Sequence, residues 1–276
     1  MKMKFNLLTI TLLLVGNFAA KASAVDTLLV ESKAMGTIKN IVLLPDSYDP
    51  KGEALPVLYL LHGAFGDHTD WMQIRPDLGD YADKYGFIII CPDGGFNSWY
   101  FDSPIDEEMQ YETYIAKELV QKVDAEYKTI TNRNGRAITG LSMGGHGALY
   151  LAFRHQDIWA AAGSTSGGVD IRPFPGNWDI AKRIGEYSEF RSNWEENTII
   201  NMVYLLKKNS LKLIIDCGVD DFFYGVNKQL HQKLVDRNIP HDYIERPGEH
   251  NMEYWANSIT YQLLFFNDFF NSQEKE

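Results

Sequence analysis

Five consecutive residues, Gly140-Leu141-Ser142-Met143-Gly144, carry the clearest chemical signal in this sequence. They close an apolar run at 136–141 and open a stretch of helical character at 143–154. A serine on a sharp strand-to-helix turn lifts its Oγ above a sheet, and that backbone needs small residues two positions to either side. The chemistry this suits is nucleophilic attack on a carbonyl carbon. Serine does this only when a base takes its proton and a third group orients the base. Two later apolar runs supply candidates at their carboxyl ends. The run 211–217 leads into Gly218-Val219-Asp220-Asp221, and the run 243–246 leads into Pro247-Gly248-Glu249-His250. Chain order and position make His250 the general base and leave the acid between Asp220 and Asp221. The competing role for either aspartate is a cap on the helix expected over 226–234. A tetrahedral intermediate also needs backbone N–H donors. Met143 offers one, and Ala64, in Leu61-His62-Gly63-Ala64-Phe65-Gly66, offers a second. His62 precedes the serine and is read as a brace for that loop.

These residues need a scaffold that brings distant loops together. An opening hairpin is expected over 27–33 and 37–44, and buried-strand runs recur at 57–61, 87–91, 136–141, 159–163, 211–217 and 243–246. Between them lie helical spacings: Ile115, Leu119, Val123 and Tyr127, then Val226, Leu230 and Leu234. Strand alternating with helix predicts an α/β fold, a mostly parallel sheet covered on both faces with its site at the carboxyl ends of the strands. The long connection 164–210, with Phe174, Trp178 and Trp194, is expected to form a small helical insertion over the site. The chain shows no repeat or low-complexity linker, so one domain is expected over 25–276.

Composition narrows the setting. With 45% hydrophobic and 23% charged residues, the chain has the means to build a core. Lys2 and Lys4 precede an apolar run at 5–20, and Ala22-Ser23-Ala24 offers a small-x-small cleavage site, so residues 1–24 read as a signal peptide. The run is interrupted by Asn6, Thr9, Thr11, Gly16 and Asn17, which disfavours a membrane anchor. A periplasmic or secreted location follows as an expectation. Cleavage would take the formal charge from −11 to −14, which makes nucleic acid and anionic membranes poor partners. Cys91 and Cys217 each close an apolar run and read as two buried thiols rather than a pair.

Taken in order, His62-Gly63, Cys91-Pro92-Asp93-Gly94-Gly95 with Asn97-Ser98-Trp99-Tyr100, Gly140-Leu141-Ser142-Met143-Gly144-Gly145, Cys217-Gly218-Val219-Asp220-Asp221-Phe222, and Gly248-Glu249-His250 with Trp255 resemble the esterase D family of α/β-hydrolases. That family includes feruloyl and acetylxylan esterases of carbohydrate esterase family 1, S-formylglutathione hydrolases, tributyrin esterases and mycolyltransferases. The resemblance spans nearly the whole chain after residue 24 and implies an α/β-hydrolase fold and ester chemistry without fixing the acyl group. It aligns the catalytic triad with Ser142, Asp221 and His250, and the oxyanion donors with Ala64 and Met143. It places Asn97, Trp99, Tyr100 and Asp102 among substrate-binding positions, with core packing as the competing role of Trp99 and Tyr100. Many relatives carry Gly-Gly-His before the base where this chain has Gly248-Glu249-His250, which leaves Glu249 without an assigned role. The expected function is a secreted serine carboxylesterase acting on short-chain acyl or hydroxycinnamoyl esters of plant polysaccharide or oligosaccharide. No metal or organic cofactor is implied. The alternatives are an acyltransferase to a sugar hydroxyl and a carbohydrate-binding protein that kept the fold without the chemistry.

Overall fold

The computed structural model describes residues 24–273. The expected leader therefore lies outside the described residues, apart from Ala24, which opens the first strand. Eight strands form one sheet: β1 (Ala24–Ser32), β2 (Gly36–Leu44), β3 (Val57–Leu61), β4 (Ile88–Pro92), β5 (Arg136–Gly140), β6 (Ala161–Thr165), β7 (Lys212–Gly218) and β8 (Asp242–Arg246). Their spatial order is β1-β2-β4-β3-β5-β6-β7-β8. The hairpin β1–β2 is antiparallel and β2 pairs antiparallel with β4, while every pairing from β4 to β8 is parallel.

Strands β3 to β6 are buried along their whole length, which is why they read as unbroken apolar runs rather than as alternation. Successive side chains point to opposite faces. Val57, Tyr59 and Leu61 join one core and Leu58 and Leu60 the other, and Ile88 and Ile90 likewise oppose Ile89 and Cys91. Each fully buried aliphatic side chain contributes about 1.5–3 kcal/mol by leaving water.

The helices are α1 (Asp70–Ile74), α2 (Leu78–Tyr85), α3 (Tyr111–Thr113), α4 (Val120–Glu126), α5 (Met143–Arg154), α6 (Ile180–Ile184), α7 (Arg191–Glu196), α8 (Ile199–Met202), α9 (Tyr224–Asp236) and α10 (Met252–Gln273). Residues of α4, α5, α8 and α9 build one core with the sheet, and those of α1, α2 and α10 build the other. A π-helical stretch, Tyr114–Leu119, joins α3 to α4. It gives a reason for the spacing of exactly four in Ile115, Leu119, Val123 and Tyr127. On a 3.6-residue helix such a spacing drifts around the axis; the wider π turn offsets that drift between Ile115 and Leu119, and all four side chains are buried. The connection 164–210 contains α6, α7, α8 and a 3-10 turn, Val203–Leu205. Cys91 and Cys217 are buried, unpaired, and lie on strands that are not neighbours. Burial alone pushes the Cys91 thiol up to about 12. Among the described residues no helix is long and apolar enough to cross a membrane.

The strand order reverses at β3. From β3 the chain first adds β4 on one side and then crosses to add β5 on the other. The crevice at the carboxyl ends of β3 and β5 is the position that a doubly wound sheet leaves open for a ligand.

Candidate active site

Ser142 stands at that crevice, immediately after β5 and before α5, with φ 53° and ψ −116°. The left-handed backbone of a non-glycine residue is strained, and the surroundings hold it there. Its N–H donates to Thr165 O at 2.9 Å and its carbonyl accepts from His146 N–H at 3.0 Å. The glycines on either side are required by contact. A Cβ on Gly144 would lie 2.5 Å from the carbonyl oxygens of Leu61 and His62, and one on Gly140 would lie 2.6 Å from the Gly144 backbone.

Two further loops complete a hydrogen-bonded line. His250, four residues beyond β8, places Nε2 3.0 Å from Ser142 Oγ, and its Nδ1–H donates to Asp221 Oδ2 at 2.8 Å. The second oxygen of Asp221 accepts Phe223 N–H at 2.7 Å, so the carboxylate is held from both sides and its side chain is fully buried. Of the two aspartates, the tertiary structure brings Asp221 to the imidazole and leaves Asp220 exposed. Asp220 does not make the helix cap that was open to either aspartate. Among the described residues nothing hydrogen-bonds the Asp220 carboxylate, and the N–H groups near the start of α9 are served by Asp221 instead. Consecutive residues at a strand end point in different directions, and the side chain turned inward meets both the imidazole and the helix start.

Of the expected oxyanion donors, Ala64 lines the cavity at Ser142 and Met143 directly follows Ser142. Met143 N–H and Ala64 N–H have no protein acceptor among the described residues, whereas the next amide in each loop does: Gly144 N–H donates to Leu141 O and Phe65 N–H to Phe96 O. His62 holds the loop after β3. Its Nε2 accepts Gly94 N–H at 2.8 Å, which puts the proton on Nδ1, and Nδ1–H donates to Gly63 O at 2.7 Å. Burial lowers its pKa and keeps the ring neutral. Tyr100 supports the same loop by donating its hydroxyl hydrogen to His62 O at 3.1 Å.

A cavity of about 480 Å³ opens onto Ser142 and His250, with Phe65, Trp178, Phe222, Met252 and Trp255 in its walls and Asp70 at one side. Partial burial raises the Asp70 carboxyl above its ordinary range. Phe222 and Trp255 pack on the His250 ring at 4.2 and 5.0 Å between centroids, and Trp178 stacks on Phe222 at 5.7 Å and 18°. The four substrate-binding positions inferred from the resemblance lie elsewhere. Asn97, Trp99 and Tyr100 are buried in packing, and Asp102 accepts from Thr113 N–H and Oγ1–H at 2.8 and 2.6 Å, outside the walls of this cavity. Trp99 and Tyr100 both have positive φ, and their side chains donate inward, Trp99 Nε1–H to Trp178 O and the Tyr100 hydroxyl to His62 O, each at 3.1 Å. The residues that do line the cavity were within reach of the sequence, since Phe222 follows Asp221 directly and Trp255 lies five positions after His250. Glu249 is exposed, and among the described residues its side chain makes no hydrogen bond. Among the described residues, no group of three or more His, Cys, Asp or Glu is placed to hold a metal ion.

The arrangement can deprotonate a hydroxyl, hold the resulting imidazolium against a buried carboxylate, and offer two amides to an oxyanion. Comparison with known proteins agrees with this chemistry. An esterase of Mycobacterium tuberculosis is 28% identical over 239 residues, covering 76% of this chain and 51% of that protein, so the chain spans about half the length of the curated relative it matches. An acetyl esterase of Caldicellulosiruptor saccharolyticus is 26% identical over 76% of this chain and 83% of its own. Among solved structures, a ferulic acid esterase superposes with a TM-score of 0.78 at 30% identity, covering 90% of this chain and 99% of its own. The model of the family named Esterase matches residues 32–266, nearly the whole described chain, and on that match this protein belongs to the esterase family.

Proposed function

We propose that this chain is a secreted serine carboxylesterase that hydrolyses short-chain acyl or hydroxycinnamoyl esters, on plant polysaccharide or its oligosaccharides, with residues 1–24 as a cleaved leader and 25–276 as one catalytic domain. The observation that carries the proposal is the unbroken line from Ser142 Oγ through His250 to Asp221, opening on an aromatic-walled cavity. In the first half-reaction Ser142 Oγ attacks the ester carbonyl while His250 Nε2 takes its proton. The tetrahedral oxyanion is held by the N–H groups of Ala64 and Met143, and Asp221 stabilises the imidazolium. His250 then gives the proton to the leaving alcohol, and the acyl group stays on Ser142. Water, deprotonated by the same imidazole, releases the acid and restores the serine.

The cavity supports a flat aromatic or a short acyl group. Phe222, Trp178 and Trp255 offer ring faces beside the base, and the acetyl esterase and ferulic acid esterase among the relatives have names consistent with both classes. Turnover of p-nitrophenyl acetate, butyrate and octanoate beside methyl ferulate tests the reading. Acetate or ferulate should lead, and faster hydrolysis of octanoate would overturn it. Added sugar acceptors separate hydrolysis from acyl transfer, and failure to react with a serine-directed fluorophosphonate would return the chain to a non-catalytic, carbohydrate-binding role.

A further inference from the structure

The loop that presents His250 is anchored from both sides by a single carboxylate. Arg246 ends β8 four residues before His250, and Tyr254 stands in the first turn of α10 four residues after it. Both reach Asp216, which lies on β7 five residues before Asp221. Arg246 Nη2–H donates to Asp216 Oδ2 at 2.7 Å, and the Tyr254 hydroxyl donates to Oδ1 at 2.5 Å. Asp216 is fully buried. The backbone repeats the connection, since Val219 N–H donates to Arg246 O at 2.9 Å and Asp220 N–H to Gly248 O at 3.0 Å. The Tyr254 ring closes over the loop: a Cβ on Gly248, whose φ is +150°, would lie 2.2 Å from it. The Arg246 guanidinium sits over the rings of Tyr261 and Tyr254, at 4.4 and 5.2 Å from their centroids, and Nη1–H donates to Asn257 Oδ1 at 2.6 Å.

We propose that Asp216, Arg246 and Tyr254 form a positioning clamp that holds the His250 loop at the spacing where Nδ1 meets Asp221 and Nε2 meets Ser142. The clamp rests on the reading of Ser142, His250 and Asp221 as acyl-transfer machinery, and its three members act through His250 rather than on substrate. The physical reason is that β7 carries both the Asp221 loop and the anchor for the His250 loop. Any movement of one relative to the other must break a charge-assisted hydrogen bond to a buried carboxylate, which leaves that charge short of a donor. A catalytic group displaced by an ångström can cost as much as roughly a hundredfold in rate, so a clamp remote from the chemistry can control turnover.

Kinetics and NMR of the full chain test this. In wild type, hydrolysis of p-nitrophenyl acetate, fluorophosphonate labelling and a downfield proton resonance from His250 Nδ1–H are expected. Absence of both turnover and labelling there would overturn the acyl-transfer reading and the clamp with it. Given an active wild type, Tyr254→Phe, which removes one hydroxyl and keeps the ring over Gly248, and Arg246→Gln should each lower kcat by roughly tenfold to a hundredfold. KM should change little, as expected for loss of a transition-state interaction in a slow chemical step. The downfield resonance should weaken in both variants, while Arg246→Lys, which keeps a charged donor, should recover most of kcat and the resonance. A lowered melting temperature with wild-type kcat and an unchanged resonance would overturn the clamp alone. Should Arg246→Gln fail to fold, Tyr254→Phe decides by the same two readouts.

Discussion

The two ends of α5 do opposite things with their polar groups. At its start Ser142 is strained, and among the described residues its Oγ hydrogen-bonds His250 alone and the Met143 amide donates to no protein group. At its other end three donors converge on one carboxylate. Glu112 accepts from the Tyr150 hydroxyl at 2.7 Å, from Arg154 Nε–H at 2.8 Å and from His155 Nε2–H at 2.7 Å. Burial works against the Glu112 charge, but these three donors outweigh it and bring the carboxyl down from 4.5 to about 2. One helix thus has a satisfied end that stabilises the fold and an open end that waits for a ligand. The difference supports the proposed site more sharply than any residue type does, because unspent hydrogen-bonding capacity beside a strained serine is costly and clusters at functional sites.

Breaking the open end should give the largest effect. Ser142→Ala removes one oxygen and opens no core cavity, so kcat for ester hydrolysis should fall by roughly 10⁶ with the melting temperature nearly unchanged. Substantial residual turnover in purified variant would reassign the nucleophile. Asp221→Asn should lower kcat by roughly 10⁴, because the amide cannot hold the required tautomer or stabilise the imidazolium. Asp220→Asn, made in parallel, should leave kcat at the wild-type level, since that residue is exposed and its carboxylate makes no hydrogen bond among the described residues. A kinetic defect at 220 instead would move the acid.

The satisfied end should respond in stability rather than in rate. The displacement of Glu112 from 4.5 to about 2 corresponds to about 3 kcal/mol of stabilisation. Because the folded-state value lies below the unfolded one, that contribution is complete above about pH 4.5 and is lost as pH falls from there towards 2. Glu112→Gln should therefore be less stable than wild type to urea by about 3 kcal/mol at pH 7, with the gap closing over that acid window, while kcat of the folded protein holds. A kcat that falls with stability intact would show that the two ends of α5 are coupled. The smallest effect is expected at the cavity wall. Trp178→Ala removes a ring that stacks on Phe222 without touching the base, and should raise KM for methyl ferulate by less than about tenfold with little change for acetate. Equal effects on both esters would place the aromatic acyl group elsewhere.

Much of this was legible because each signal was local. Val57, Leu58, Tyr59, Leu60 and Leu61 announced a strand buried on both faces, and the small residues around Ser142 announced the turn that strains it. The order of Ser142, the two aspartates and His250, each following an apolar run, announced which loops had to meet. What the chain alone determined was thus a set of elements and the chemistry carried at their ends. Strand position left Asp220 and Asp221 open and only the resemblance pointed to Asp221; the tertiary structure supplies the physical reason, because adjacent residues differ in direction and direction depends on where β8 delivers His250. The pocket was likewise decided by packing. For Trp99 and Tyr100 the sequence left ligand contact and packing both open; both are buried, and the cavity walls come instead from Trp178 and Phe222 in two separate loops and Trp255 near the start of α10. Strand and helix periodicities report which residues leave water, whereas the shape of a cavity depends on how loops with no period of their own cross one another, and that is fixed only when the sheet has assembled beneath them.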